Sequence, residues 1–212
     1  MRRIIQYGVM LLAIFCLAGG ALADSKGDPV KGKEKVGMCG GCHGANGNSE
    51  DPSFPRLAGQ SAAYIVKQMH DFQGFIRTNN EIMSAMGSLV GSDDDVWDIA
   101  AFFSKQEMEG KPLAPVDQVL AAKGEAIYLK GKPDKGVYAC VNCHGERGRG
   151  KLLEDSAFPV IGGQHRDYLV KQLKDFRSKA RNNDPNNVMR NIAEPLTDED
   201  IDAISNYLSG LI

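Results

Sequence analysis

The chain has 212 residues, and its 25 Lys and Arg against 27 Asp and Glu give a formal net charge of −2 at pH 7. This balance argues against the strongly basic surface that nucleic-acid-binding proteins use, so we expect no nucleic-acid partner. Beyond the first 23 residues no stretch is apolar enough to span a membrane, which predicts a soluble fold.

Residues 1–23 have the three parts of a secretory signal peptide. Two arginines near the start precede an apolar core from Val9 to Leu17, and small residues ending at Ala23 form a cleavage site before Asp24. Cys16 lies inside the apolar core, after a bulky residue that argues against a lipoprotein site, so we expect it to be removed with the signal. The segment predicts export, with an uncleaved membrane anchor as the alternative.

Two stretches share the pattern Cys-x-x-Cys-His, one at 39–43 and one at 140–144. This pentapeptide is typical of covalent attachment of c-type haem, in which two thiols form thioethers to the porphyrin and the adjacent histidine ligates the iron from one face. Two copies predict two haems. The predicted thioether cysteines are Cys39, Cys42, Cys140 and Cys143, and the predicted iron ligands are His43 and His144.

The cysteine count supports this interpretation. The sequence has 5 Cys, and without Cys16 all those that remain belong to the two motifs, so no thiol is left for a disulfide. A zinc site built from the two Cys-x-x-Cys pairs is the alternative. It would leave the repeated histidine and the signal peptide unexplained.

The second half of the chain repeats the first. The sequence FPRLAGQ at 54–60 corresponds to FPVIGGQ at 158–164, and YIVKQMHDF at 64–72 corresponds to YLVKQLKDF at 168–176. Such a repeat predicts two small domains of the same fold, each built around one haem that supplies a large apolar centre.

A segment from Gly110 to Pro115 separates the halves and is interpreted as a linker, because its prolines oppose helix continuation. We therefore expect a signal peptide over 1–23, a first haem domain over 24–111 and a second haem domain over 112–212.

Apolar residues recur at helical spacing near the end of each half. Ile201, Ile204 and Leu208 share one face of a predicted helix, Thr197 precedes it as an N-cap, and the stretch 96–103 repeats the same pattern. No alternation of useful length indicates a β-strand. We therefore predict an all-α fold for both domains.

The second axial iron ligand must come from later in each half, and methionine is the leading candidate because His/Met ligation is typical of cytochromes c. In the second half Met189 is the only methionine after Cys143, and it lies in an Asn- and Pro-rich stretch that predicts a loop. In the first half, aligning the segment NEIM with NNVM selects Met83, and Met86 remains the rival.

The other histidines and the acidic runs have simpler interpretations. His70 corresponds to a lysine and His165 to a serine in the repeat, so we expect His70 to be a solvated helix residue and neither histidine to bind iron. The acidic runs at 93–95 and 198–200 fall at the predicted start of the last helix in each half. There they complement the helix dipole, which is favoured over a metal site.

The segments that follow the two motifs differ in charge. Residues 44–51 are neutral to acidic, whereas residues 145–151, with Arg147, Arg149 and Lys151, are net basic. Because each segment flanks a haem motif, we expect this charge near one haem edge, and we expect the two domains to face different partners. The alternative is that the basic segment is a solvated turn with no partner.

Together these features resemble the cytochrome c4 family of two-domain dihaem proteins over nearly all of the chain after residue 23. The resemblance rests on the paired Cys-x-x-Cys-His, FPxxxGQ and YxxKQxxDF segments and on a methionine before the last helix of each half. It implies two class I cytochrome c domains related by a pseudo-twofold axis, haem edges near one another and electron shuttling in the periplasm. It also implies that Pro55 and Pro159 offer their carbonyls to the iron-ligating histidines.

The function expected from these features is a non-enzymatic electron carrier, peripheral to the membrane, between a quinol-oxidising cytochrome complex and a terminal oxidase. The alternative is a dihaem electron-transfer subunit of a dehydrogenase, such as a flavocytochrome that oxidises sulfide. A dihaem enzyme in its own right is the third possibility, and it needs an open or unusual axial position on the iron.

Overall fold

The computed structural model describes residues 26–109, 115–153 and 156–211. The predicted signal peptide over 1–23, Cys16 within it, and most of the predicted linker lie outside the described residues, as does the predicted domain boundary at 111–112. In the described ranges no helix combines the length and the hydrophobicity needed to cross a membrane.

The described part of the chain is built mainly from helices, and their order repeats between the halves. The first half contains α1 (Pro29–Lys35), α2 (Gly37–His43), α3 (Ala62–Gln73), α4 (Glu81–Gly87) and α5 (Asp93–Ser104). The second half contains α6 (Gln118–Lys130), α7 (Val141–His144), α8 (Arg166–Arg177), α9 (Val188–Ala193) and α10 (Asp198–Ser209). Short 3₁₀ turns lie at Pro133–Lys135, Glu146–Gly148 and Pro185–Asn187.

The helical fold class is confirmed, with one element that the sequence did not predict. Two short strands, β1 (Lys151–Leu153) and β2 (Ser156–Phe158), pair as an antiparallel hairpin in which Lys151 lies opposite Phe158. Three residues per strand are too few to give a recognisable alternation of polar and apolar side chains. The first half has no such hairpin in its described residues.

The predicted apolar faces form two separate cores. Val96, Ile99 and Phe103 of α5 are buried in the first, and Ile201 and Leu208 of α10 are buried in the second. Each last helix begins with a capping box, in which the N-cap hydroxyl and the third helical residue exchange hydrogen bonds. The N-caps are Ser92 with Asp95 and, as predicted, Thr197 with Asp200.

The first and last helices of each half cross at a glycine. A Cβ atom added to Gly32 of α1 would lie 2.0 Å from the carbonyl oxygen of Asp98 in α5. A Cβ atom added to Gly124 of α6 would lie 2.0 Å from the carbonyl oxygen of Ala203 in α10. Both separations are far below van der Waals contact, so only glycine permits this approach of the two backbones.

The two halves meet through a buried polar network between α3 and α8. Arg77 donates to Gln68 Oε1 of its own half at 2.8 Å and to Gln172 Oε1 of the other half at 2.9 Å. Arg181 does the same in reverse, donating to Gln172 Oε1 at 2.8 Å and to Gln68 Oε1 at 2.9 Å. Reciprocal contacts of this kind are what a pseudo-twofold axis between two like domains produces.

The helix crossings give a stability prediction. Gly32→Ala or Gly124→Ala should force the crossed helices apart and lower the free energy of unfolding by about 1–3 kcal/mol, or more, because the added methyl has no space. Gly37→Ala is the matched control, since Gly37 lies on a helix with nothing within 4 Å of the added Cβ. Denaturant unfolding monitored by circular dichroism measures the difference. Equal midpoints for the crossing variants and the control would contradict the prediction.

Candidate haem-binding sites

The two motifs lie on short helices that end in the same way. The first occupies the last turns of α2, which stops at Gly44 with φ of 80°, and the second occupies α7 with Cys140 as its N-cap, which stops at Gly145 with φ of 73°. A side chain at Gly44 would be strained in this conformation, and its Cβ would lie 2.7 Å from the Asn48 carbonyl oxygen. In the second half the buried Tyr128 of α6 donates its hydroxyl to the Gly145 carbonyl at 2.6 Å, which ties the helix end to the core.

The motif cysteines lie at the borders of the two cores. Cys39 packs against the first core and Cys140 against the second. Three of the cysteines are half-buried, and Cys42 is exposed. Burial raises the pKa of the Cys39 thiol and raises the pKa of the Cys140 thiol to about 11. Among the described residues no group of three or more His, Cys, Asp or Glu side chains is arranged to hold a metal ion.

Both motif histidines are buried and point one ring nitrogen at a proline. His43 Nδ1 lies 2.9 Å from the Pro55 carbonyl oxygen, and His144 Nδ1 lies 3.1 Å from the Pro159 carbonyl oxygen. Because a carbonyl oxygen only accepts, Nδ1 carries the proton and the lone pair of the neutral ring is on Nε2. Burial lowers the pKa of both imidazoles, and the proline carbonyls oppose this shift.

This arrangement fits a covalently bound haem. Each half supplies two thiols one helical turn apart and, next to them, a neutral imidazole whose Nε2 is free to ligate iron while Nδ1 is oriented by a carbonyl. The same donor set recurs in both halves, with the histidine–proline bond differing by only 0.2 Å between 2.9 and 3.1 Å.

In the first half the two candidate methionine ligands share one short helix. Met83 and Met86 lie one turn apart on α4, and both are half-buried. The Met83 backbone N–H donates to the N-cap Asn80 Oδ1 at 2.9 Å, so the capping bond that fixes the first turn of this helix is made by Met83, its third residue. Both residues remain candidates, with Met83 favoured by the repeat.

The loop predicted around Met189 is wrong, because Met189 is the second residue of helix α9 and is half-buried. The 3₁₀ turn before the helix contains Asn186 and Asn187 with φ of 53° and 59°, a backbone conformation that asparagine tolerates well. Asp184 then accepts from Arg190 Nε at 2.7 Å and from its backbone N–H at 3.0 Å, which fixes the start of α9.

The two other histidines have different surroundings. His70 is exposed, as expected, with Nε2 2.8 Å from Asp93 Oδ1. His165 has an interface role that was not predicted: it is 3% exposed, and its Nε2 lies 2.8 Å from Ser49 Oγ of the other half. Alignment of the two halves could not predict this role, because the corresponding residue in the first half is a serine.

Comparisons with known proteins agree with this geometry. Residues 33–103 match the family model described as cytochrome c oxidase, cbb3-type, subunit III, and residues 121–211 match the model for cytochrome c. A thiosulfate dehydrogenase electron acceptor from Thiomonas intermedia is 34% identical over 176 residues, which cover 82% of this chain and 79% of that protein.

Two further relatives cover nearly the whole chain. Cytochrome c4 of Pseudomonas aeruginosa is 44% identical over 204 residues, which cover 96% of this chain and 97% of that protein. The crystal structure of reduced recombinant cytochrome c4 from Pseudomonas stutzeri superposes with a TM-score of 0.79 and 41% sequence identity, over 87% of this chain and 98% of that one. These matches confirm the resemblance seen in the sequence: the chain consists of two cytochrome c domains and belongs to the cytochrome c4 family.

Proposed function

We propose that the chain is a periplasmic dihaem c-type cytochrome that carries electrons from a quinol-oxidising cytochrome complex to a terminal oxidase. The observation that carries the proposal is the duplicated donor set, in which each Cys-x-x-Cys-His helix holds a buried histidine against a proline carbonyl. The predicted signal peptide over 1–23 supports a periplasmic location, and membership of the cytochrome c4 family supports electron transfer.

In this proposal each side chain of the site has one task. Cys39 and Cys42 hold the first haem, as Cys140 and Cys143 hold the second, through thioether bonds. His43 and His144 would ligate iron through Nε2, and Met83 and Met189 would supply its second protein ligand. When bound, haem c supplies an iron that alternates between the ferrous and ferric states.

The same residues explain why we propose a carrier and not an enzyme. With a histidine and a methionine both bound to the iron, no position would remain for a substrate or oxygen. His43 and His144 are buried, with exposures of 5% and 7%, which limits the access of water to their imidazole rings. The proline carbonyls and helix caps hold the ligands in one geometry, which limits the rearrangement that accompanies each change of charge.

The basic segment after the second motif is placed to meet an acidic partner. Arg147, Arg149 and Lys151 are all exposed. Lys151 Nζ donates to the carbonyl oxygen of Asn142 at 2.7 Å, and Asn142 lies between the two cysteines of the motif. This contact keeps a positive charge beside the motif, so an acidic partner would be guided towards the second haem.

The second candidate function is that of the electron-transfer subunit of a dehydrogenase. The 34% identity to a thiosulfate dehydrogenase electron acceptor favours this second candidate. In that case the electron donor would be a sulfur-oxidising enzyme. Co-purification of the tagged chain from its native periplasm separates the two candidates. A stable complex with a dehydrogenase supports the subunit, and a monomer reduced by the quinol-oxidising complex supports the carrier.

The proposal predicts two covalent haems. Denaturing mass spectrometry of the exported protein should give the mass of a chain that begins at Asp24 plus two haem groups. Replacing both cysteines of one motif by alanine should remove one haem mass, because only the haem of that half then loses its thioether bonds. A chain with one haem, or with haem that acid-acetone extracts, would contradict the proposal.

The axial methionines give a second prediction. Met83→Ala and Met189→Ala should each abolish one methionine-sulfur-to-iron charge-transfer band and open that haem to an external ligand such as imidazole. Met86→Ala is the comparison variant, because it removes the same side chain one turn along α4 and should keep both bands. If Met86→Ala opens the first haem and Met83→Ala does not, Met86 is the ligand.

The basic segment gives a third prediction. Reversing its three charges should slow electron exchange with an acidic partner about tenfold at low ionic strength, because steering is lost, and should have little effect in 1 M salt. The control reverses three exposed lysines elsewhere in the second half, at Lys130, Lys135 and Lys179. Stopped-flow rates with each isolated partner measure the effect. If the control slows exchange equally, total charge and not the segment governs the encounter.

A further inference from the structure

Two glutamines reach across the interface and pair with the backbone of the other half. Gln164 Oε1 accepts from the Arg56 backbone N–H at 2.8 Å, and its Nε2 donates to the Arg56 carbonyl at 3.0 Å. Gln60 Oε1 accepts from the Val160 backbone N–H at 2.9 Å, and its Nε2 donates to the Val160 carbonyl at 2.8 Å. Each side-chain amide thus pairs with both polar backbone groups of one residue, as a neighbouring strand would.

The residue that is held in each case follows the proline that orients the motif histidine. The Arg56 N–H and the Pro55 carbonyl belong to one peptide group, which is planar and electronically delocalised. This group accepts from His43 Nδ1 on one side, at 2.9 Å, and donates to Gln164 on the other, at 2.8 Å. The peptide group between Pro159 and Val160 is bonded in the same way by His144 and by Gln60.

We infer that Gln60 and Gln164 are positioning residues that act across the interface, each fixing and polarising the peptide group that orients the iron-ligating histidine of the other half. The inference rests on the proposed function, since it concerns histidines that ligate haem iron. Hydrogen bonds in a chain strengthen one another, so an acceptor on the peptide N–H makes its carbonyl a better acceptor. A better acceptor at Nδ1 makes the imidazole a more basic ligand.

Each glutamine is itself held rigidly by its own half. Gly59 and Gly163, which precede the glutamines, have φ of 68° and 73°. Their backbone N–H groups donate to the last helix of the same half, to the Phe103 carbonyl at 3.0 Å and to the Leu208 carbonyl at 2.8 Å. The glutamine side chains are therefore presented from the core of one domain to the haem site of the other.

The orientation of each amide is also fixed. Besides its contact across the interface, the Oε1 atom accepts from the next backbone N–H of its own chain segment, from Ser61 to Gln60 at 2.9 Å and from His165 to Gln164 at 3.0 Å. An amide turned by 180° would place its NH₂ group against two N–H donors in each case. The Oε1 atom must therefore face the backbone N–H of Arg56 or of Val160.

The inference predicts that a substitution in one domain alters the haem of the other. Gln164→Leu should raise the reduction potential of the haem attached at Cys39 and leave the other unchanged, because a weaker Nδ1 bond makes His43 a poorer donor to ferric iron. Gln60→Leu should raise the potential of the haem attached at Cys140. Redox titration gives two potentials, and proton NMR assigns each haem by its contacts to its own motif cysteines.

A second readout observes the bond itself. The Nδ1 proton of the ligating histidine gives a shifted NMR resonance in the ferric protein, and its exchange with solvent should speed up for His43 in Gln164→Leu and for His144 in Gln60→Leu. Gln164→Asn keeps the amide but is one methylene shorter, and it should change the same haem in the same direction by less. This milder variant tests the inference if Gln164→Leu does not fold.

Tyr64→Phe is the matched control for loss of an interface hydrogen bond, because it removes the hydroxyl that accepts from Arg181 across the interface at 3.0 Å and leaves both proline segments untouched. It should move neither potential. Changes in the haem of the mutated half, equal changes in both haems, or none at all would overturn the inference while the two-haem proposal stands. A protein without covalent haem in its mass spectrum would instead overturn the proposed function.

Discussion

The hydrogen bond from each buried motif histidine to a proline carbonyl is the contact on which the rest of the structure depends. It fixes the ring orientation and places the free lone pair on Nε2, and both atoms of the bond must therefore be held precisely. The left-handed glycine after each motif stops the helix at the histidine. The segment after each proline is bonded back to the turn that follows the motif, from the Leu57 N–H to the Gly47 carbonyl and from the Ile161 N–H to the Gly148 carbonyl, both at 2.8 Å.

The interface between the halves is part of the same arrangement, because Gln164 and Gln60 bond across it to the segments that follow Pro55 and Pro159. Arg77 and Arg181 are buried, each stacks on a phenylalanine ring at 4.5 Å, and each bonds to glutamines from both halves. A polar network of this kind stabilises one relative orientation of the domains, because any shift leaves buried donors without acceptors. That orientation is also the one in which Gln60 and Gln164 reach the proline segments.

The sequence was sufficient to predict the helical fold and the N-cap at Thr197, because each depends on residues close together in the chain. Contacts between distant segments were not predictable in this way. Gly32 and Gly124 are ordinary glycines in the sequence, and only the crossing of two helices shows why they are needed. The helix at Met189 was not predicted, because the asparagines before it are typical of a loop. In the structure Asn186 and Asn187 adopt a left-handed backbone that leads directly into the helix.

Comparison of the two halves identifies residues with the same role in both, but it does not identify a residue that has a role in one half only. His165 was set aside because its counterpart is a serine, yet it binds Ser49, and Ser49 Oγ donates to the Phe54 carbonyl at 2.7 Å, one residue before Pro55. The first proline segment is thus held by a histidine that has no counterpart at the second, whereas the basic segment follows only the second motif. If both irons have the same ligands, a difference between their reduction potentials must come from the surroundings of the haems, and hydrogen bonding and charge are two of the means by which a protein tunes a haem there.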